Sequence, residues 1–253
     1  MSLKNISYNI TTNDIDLLKY LFINKVASRE QINRDVYIGY WPQSTRKRLF
    51  RLKQDKFISA KRPISTWKDQ TSLYGLTSKG LKLIAPLIKT PLLKKRLDSD
   101  SIEHDLNLVD IRRNLILKNC VKKYFTENQI HNEAKFYEDE QFKIFNQLRF
   151  DGLVEYSRDL KNKVLIPIQY ERVEKSNERY KKILSEFYLE SSVPAIIYIT
   201  DNDKVEKKIK ENERCIEPNT KDQKLFYGKL QDLSNDEKLI KFYGQGNKLI
   251  KFE

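Results

Sequence analysis

Apolar residues in the first 90 positions recur at helical spacing, are interrupted by one strand-like stretch, and then return to helical spacing. The predicted helices cover residues 13–24, 28–37, 42–55 and 77–84. Asn13-Asp14 is expected to cap the first helix, the capping box Ser28-x-x-Gln31 opens the second, and Pro42 suits the first turn of the third. Between the third and fourth helices, residues 58–76 are typical of a hairpin that turns at 67–70. Thr77 is expected to cap the fourth helix and Pro86 to end it.

A different order of elements follows a predicted linker at 91–100, which contains Pro91 and the basic run Lys94-Lys95-Arg96. The pattern predicts a helix over 102–119, strands over 130–137, 148–156 and 164–172, a helix over 175–189 and a strand over 194–200. A charged helix over 203–212 and strands near 225–230 and 239–252 are expected to extend the sheet. The sequence therefore predicts an α+β chain with domains at 1–90 and 101–253.

The first domain resembles a winged helix-turn-helix module, in its order of three helices, hairpin and helix and in its closing segment LYGLTSKG. Residues 1–97 hold 20 Lys and Arg against 6 Asp and Glu, a net charge of +14. The remaining residues have a net charge of −1, so the whole positive excess of the chain, +13, belongs to this first part. Such a basic module is typical of polyanion binding, and duplex DNA is favoured over RNA. The residues predicted to contact DNA are those of the third helix and the hairpin: Arg46, Lys47, Arg48, Arg51, Lys61, Arg62 and Lys68.

Several function classes are disfavoured by what the sequence lacks. Cys120 and Cys215 are far apart, which argues against a zinc site or a disulfide framework. No apolar run is long enough to cross a membrane and no signal peptide is recognisable, so we expect a cytoplasmic protein. His104 and His131 stand alone, which argues against a histidine-cluster metal site, and no phosphate-binding glycine loop or Ser-His-Asp arrangement is present.

The second domain carries a group of acids and bases at a spacing that suggests chemistry. Asp151 is predicted to lie mid-strand, and Gln169 and Glu171 are two residues apart on the next strand, hence on one face. Lys175 and Arg179 are expected to share a face of the following helix, beside Tyr180. Neighbouring carboxylates with basic groups close by suit a hard divalent metal ion and a phosphate. The sequence therefore predicts a phosphodiester-cleaving site.

The predicted order αβββαβ resembles the restriction-endonuclease-like, or PD-(D/E)xK, fold. With the winged helix in front, the series Asp151, Gln169-Tyr170-Glu171, Lys175, Arg179-Tyr180 resembles the signature of MOBC-type plasmid relaxases of the replication-relaxation family, in which it reads Asp, Glu-x-Glu, Lys, Arg-Tyr. That resemblance implies a mobilisation protein that binds an origin of transfer and nicks one strand. Its implied partners are double-stranded and single-stranded DNA, a coupling protein and relaxosome accessory proteins.

By the same resemblance, Asp151, Gln169 and Glu171 would hold Mg²⁺ or Mn²⁺, and Lys175 and Arg179 would stabilise the charge on the phosphate. Tyr180 has two interpretations: it attacks phosphorus, or it packs behind the helix.

Gln169 departs from the relaxase pattern, because it stands where the family has a glutamate. Three explanations stay open: the protein cuts poorly, the glutamine is an engineered substitution, or another acid such as Glu133 takes its place. The competing hypothesis is a non-catalytic winged-helix regulator of plasmid replication or transcription.

Overall fold

The structure is a computed structural model that describes residues 10–61, 72–88, 97–133, 135–157, 162–216, 223–233 and 239–253. It is a mixed α+β protein whose chain divides into two compact units, Met1–Leu106 and Asn107–Glu253. The division falls inside a helix, Ile102–Ile116, six residues beyond the predicted boundary. None of the described helices is long and apolar enough to cross a membrane.

In the described part of the first unit, four helices pack against a small antiparallel sheet. Its elements are α1 (Thr12–Asn24), β1 (Val26–Ser28), α2 (Arg29–Asp35), α3 (Pro42–Gln54), β2 (Ile58–Lys61), β3 (Leu73–Leu76) and α4 (Ser78–Ile88). The strand order is β1-β3-β2, with β3 antiparallel to both neighbours. Leu17, Leu21, Leu49, Leu52 and Ile84 are among the buried side chains of its core.

Local chemistry explains where these helices begin. The capping box of Ser28 and Gln31 is confirmed, as is Pro42 in the first turn of α3. The predicted cap of α1 was wrong by two residues: Thr11 is the N-cap, and Asp14 completes its capping box. The prediction that Pro86 ends α4 was wrong, since the helix continues to Ile88.

The second unit is built on a mixed sheet of seven described strands. Its elements are α5 (Ile102–Ile116, which starts in the first unit), β4 (Val121–Thr126), α6 (Glu127–Ile130), α7 (Lys135–Glu138), α8 (Glu140–Leu148), β5 (Gly152–Tyr156), β6 (Val164–Glu171), α9 (Asn177–Leu189), β7 (Ile196–Thr200), α10 (Asp203–Arg214), β8 (Leu225–Lys229), α11 (Leu230–Leu233), β9 (Ile240–Tyr243), a 3₁₀ turn (Gln245–Asn247) and β10 (Leu249–Phe252). The order is β10-β9-β8-β7-β6-β5-β4. The meander β4-β5-β6 is antiparallel, whereas β6, β7 and β8 run parallel.

The two faces of the sheet are covered differently. On β6, Ile166, Ile168 and Tyr170 point into a core that they share with residues of α5 and of β9 and β10. The alternate residues of β6 face the other core, which contains residues of α6, α8, α9 and α10. Gln169 and Glu171 belong to this second set.

One predicted strand of this unit was wrong, and another begins later than expected. The first strand is β4, and residues 130–137 instead contain the end of α6, a turn and most of α7. The strand expected over 148–156 begins only at Gly152, because residues 140–148 form α8. Phe142, Phe145 and Leu148 of this segment are spaced to bury one helical face against the core, and Asp139 caps the helix.

The sheet curls until its two ends meet. The Tyr156 hydroxyl of β5 donates to the carbonyl of Lys251 in β10 at 3.1 Å, and the Tyr156 and Phe252 rings are 5.2 Å apart. Just before β4, the backbone N–H of Cys120 donates to the carbonyl of Glu253 at 3.4 Å. The last residues of the chain are therefore joined to the strands at the opposite end of the sheet.

Candidate active site and nucleic-acid interface

Asp151 lies in a bend between α8 and β5, and not in mid-strand as expected. Arg149 ends α8 in the left-handed conformation (φ 52°), and the fully buried ring of Phe150 stacks on Phe187 with 4.7 Å between centroids. Arg149 and Phe150 fix the turn that precedes Asp151, and Asp151 lies directly before the first residue of β5. Its Oδ2 accepts hydrogen bonds from the Tyr170 backbone N–H at 2.7 Å and from Gln169 Nε2 at 2.8 Å.

Gln169 and Glu171 lie at the carboxyl end of β6, on the face covered by α9. Gln169 is half-buried and bonded to Asp151, whereas Glu171 is 7% exposed and its Oε2 contacts the ammonium group of Lys175. The structure thus brings the two carboxylates into one cluster, each of them held by a neighbouring nitrogen.

Lys175 precedes α9, because the helix is capped by Ser176 and starts at Asn177. The prediction that Lys175 and Arg179 share a helical face was therefore wrong. Burial lowers the pKa of the Lys175 amine to about 8; the charge of Asp151 partly opposes this shift, and the charge of Arg179 adds to it. Although the helical relation is absent, these three groups are close enough to influence one another electrostatically.

Arg179 and Tyr180 occupy the first turn of α9 and face different surroundings. The side chain of Arg179 is exposed, while its backbone N–H is capped by the Ser176 hydroxyl at 3.3 Å. Tyr180 is fully buried in the core between the sheet and α9, and its hydroxyl accepts a hydrogen bond from the Lys175 N–H at 3.2 Å. Burial raises the pKa of this hydroxyl, which disfavours the phenolate. These contacts favour the packing interpretation of Tyr180 over the nucleophile interpretation.

Glu133 is not on a strand beside Asp151, as the sequence had suggested. It lies in the turn after α6, where its carboxylate accepts a hydrogen bond from Gln129 Nε2 at 2.8 Å. Within the described ranges, no three His, Cys, Asp or Glu side chains form a group that could hold a metal ion. The cluster's acidic members are the pair Asp151 and Glu171.

Two features of this region were missed by the sequence reasoning. Thr200 ends β7 directly opposite Glu171, is fully buried, and its Oγ1 has no hydrogen-bond partner among the described residues. On the other face of β6, the Tyr170 hydroxyl contacts Asp201 and accepts a hydrogen bond from Asn107 Nδ2 at 2.6 Å. The signal available for Thr200 was a polar residue ending the apolar strand 196–199. Asn107 is too distant in sequence for any local signal.

The basic residues predicted to contact DNA are placed in three ways. Arg46, Lys47 and Arg51 are exposed on α3. Lys61, on β2, contacts Asp98. Arg62 and Lys68 lie outside the described residues.

Arg48 is not on the exposed face of α3. Its Nε donates to Oδ1 of Asp14 at 2.7 Å, its Nη2 contacts Oδ2, and the Asp14 side chain is completely buried. Arg48 therefore has a structural partner inside the first unit.

No known family, curated protein or solved structure shows significant similarity to this chain.

Proposed function

We propose that this chain is a DNA-binding protein whose second unit is a restriction-endonuclease-like nuclease, acting as a relaxase-type enzyme that nicks one strand of DNA. The single observation that carries the proposal is the convergence of Asp151, Gln169, Glu171 and Lys175 at the carboxyl end of β6. Fold, charge and donor chemistry each support it.

The first support is the order and direction of the elements around the cluster. When the three described helices between β4 and β5 (α6, α7 and α8) are set aside, the series α5, β4, β5, β6, α9, β7 reads αβββαβ, with an antiparallel meander followed by a parallel strand. This is the arrangement expected of the nuclease core. Asp151 directly precedes the second strand of this series and Glu171 ends the third, close to where that core carries its acids.

The second support is that the donor set suits a hard cation. Mg²⁺ is commonly bound by one or two carboxylates together with substrate phosphates, and Asp151 and Glu171 supply two. The Gln169 carbonyl oxygen would be the third protein ligand, once its amide had turned away from Asp151. A bound Mg²⁺ or Mn²⁺ would supply Lewis acidity to the phosphodiester and a more acidic bound water.

The remaining residues of the cluster have roles that follow from their charge and position. Lys175 is released from Glu171 when that carboxylate takes another partner, and its ammonium can then bind a phosphate oxygen. Arg179 is exposed in the first turn of α9 and can bind the adjacent phosphate. Tyr180 holds the segment before α9 in place through the Lys175 N–H.

A second function, a non-catalytic DNA-binding regulator, is favoured by one observation. Asp151 is satisfied by an amide and a backbone N–H, and Glu171 is paired with Lys175. Two carboxylates balanced by Lys175 and Arg179 need no cation for stability. The two functions predict different effects of replacing Gln169 with glutamate.

The test compares the chain with its Gln169→Glu variant. The DNA is a supercoiled plasmid carrying the sequence that flanks this chain's own gene, incubated with Mg²⁺ or Mn²⁺. Replacing the amide by a third carboxylate should raise nicking about 10²–10³-fold, as is usual for one interaction made in the transition state. Gln147→Glu adds the same charge to the exposed face of α8 and serves as the matched control.

Each outcome has a separate meaning. Nicking that rises in Gln169→Glu, stays unchanged in Gln147→Glu and disappears in Asp151→Asn supports the nuclease. Equal nicking by the chain and Gln169→Glu would place the cation elsewhere. No nicking by any form, with plasmid binding intact, would favour the regulator.

A further inference from the structure

Helix α3 presents one continuous stripe to solvent. Gln43, Lys47, Phe50 and Gln54 follow one another at intervals of four, three and four residues, so they lie on the same side of the helix, and all four are exposed. The opposite side buries Thr45, Leu49 and Leu52 in the core of the first unit.

Phe50 is the unusual member of this stripe. Its side chain is 56% exposed, although it stands at the centre of an otherwise polar face flanked by Arg46 and Arg51. Core packing does not require an apolar residue there, because Leu49 and Leu52 already fill the buried side. A large ring surrounded by cationic side chains is suited to a ligand that has both negative charge and accessible apolar groups.

The major groove of DNA offers that combination. Phosphates line its walls, and each A·T pair displays the C5-methyl group of thymine, which apolar side chains contact, beside the N6 and N7 atoms of adenine, which glutamine can pair with. We propose that Phe50 is a specificity-determining residue that contacts thymine methyl groups, within a site rich in A·T pairs. The inference rests on the DNA-binding half of the proposed function and is independent of nicking.

Two other ligands of this face, a second copy of the chain and double-stranded RNA, are disfavoured by charge and by shape respectively. A second copy of the chain docked through the same stripe would bring Arg46, Lys47 and Arg51 of both copies together, and like charges in contact are costly. Double-stranded RNA is equally unsuited, because its deep and narrow major groove does not admit a helix.

The experiment removes the methyl group and nothing else. Duplexes that bind the full chain are selected from a random pool and then resynthesised with uracil in place of thymine. Affinity is measured for both forms at one salt concentration. Each buried methyl is worth about 0.8 kcal/mol, so the uracil duplex should bind about fourfold more weakly per methyl contacted.

Two variants assign the effect to Phe50. Phe50→Ala should bind the thymine and uracil duplexes equally. Leu87→Ala is the matched control, because Leu87 is 55% exposed on α4 of the same unit, and this variant should keep the full discrimination.

The results that would overturn the inference are distinct. Equal affinity of the unaltered chain for both duplexes would show that no methyl is contacted, and discrimination that survives Phe50→Ala would assign it to another residue. If Phe50→Ala converts a dimer to a monomer in size-exclusion chromatography, the stripe is a self-association surface. If no duplex is retained at low salt, the DNA-binding part of the proposed function fails as well, whereas the first three results leave it standing.

Discussion

Replacing Arg48 with alanine tests whether this residue stabilises the first unit instead of reading DNA. Asp14 is fully buried, and Arg48 neutralises it through Nε and Nη2 with a side chain that is 23% exposed. Breaking a buried ion pair on one side typically costs 3–5 kcal/mol. Because Arg48 keeps some contact with water, and Thr11 and Tyr37 still donate to Asp14, we expect the lower end, about 3 kcal/mol.

The assay is native-state hydrogen exchange of peptides from residues 12–54. A loss of about 3 kcal/mol should speed the slowest-exchanging amides of α1 and α3 about 100-fold, at about 1.4 kcal/mol for each factor of ten. Arg46→Ala is the control, since Arg46 is an exposed residue of the same helix; it should change stability by no more than about 0.5 kcal/mol. Exchange in Arg48→Ala at the rate of the unaltered chain would show that the Arg48–Asp14 pair does not stabilise the first unit.

The pH dependence of this effect has a definite sign. Burial by itself raises the pKa of Asp14, but hydrogen bonds from Arg48 and Thr11 outweigh burial and hold the pKa below its ordinary value. The unfolded state therefore binds the proton more readily, so the stability from the pair is fully present above about pH 4 and is lost as the pH falls through the lower folded-state pKa. The difference between the unaltered chain and Arg48→Ala should be large at pH 7 and should shrink in acid.

Two further predictions concern the hydroxyl of Tyr180 and the basic face of α3. Tyr180→Phe should lose about 1 kcal/mol of stability in thermal unfolding, the typical value of one hydrogen bond, and should keep any nicking activity. Loss of nicking by a folded variant would instead support the nucleophile interpretation of Tyr180. Affinity for duplex DNA should fall as the salt concentration rises. The double variant Arg46→Ala with Arg51→Ala should reduce the slope of log affinity against log salt by roughly 0.9 for each lost phosphate contact. A salt titration that gives the unaltered slope would show that these two residues do not contact DNA.

The parts of the fold that depend on neighbouring residues could be predicted from the sequence. The Ser28 capping box and Pro42 act within one helical turn, so α2 and α3 start where expected. The start of α1 was also within reach of local rules, because Thr11-x-x-Asp14 has the spacing of a capping box. What local rules do not show is that Asp14 also pairs with Arg48 and Tyr37, which are 34 and 23 residues away.

The same distinction between local and long-range interactions applies to the candidate site. Period-two alternation was enough to put Gln169 and Glu171 on one face of β6. That the Gln169 amide reaches Asp151 depends on the pairing of Gly152 with Ile168, a register set by two packed cores and not by local sequence. The helices within residues 130–148 could not be predicted, because short apolar runs suit a buried strand and a helix equally well.

The curl of the sheet has a consequence for behaviour at high concentration. Edge strands normally expose unpaired backbone groups that can recruit another chain, and proteins need some device to prevent such growth into aggregates. Here one end of the sheet is turned back on the other, and the Cys120 N–H is used by Glu253 within the same chain. The fully buried ring of Phe252 in β10 packs against Tyr156 of β5 and helps to hold the two ends together. We therefore expect the resistance of the second unit to edge-to-edge association to depend on residues 249–253.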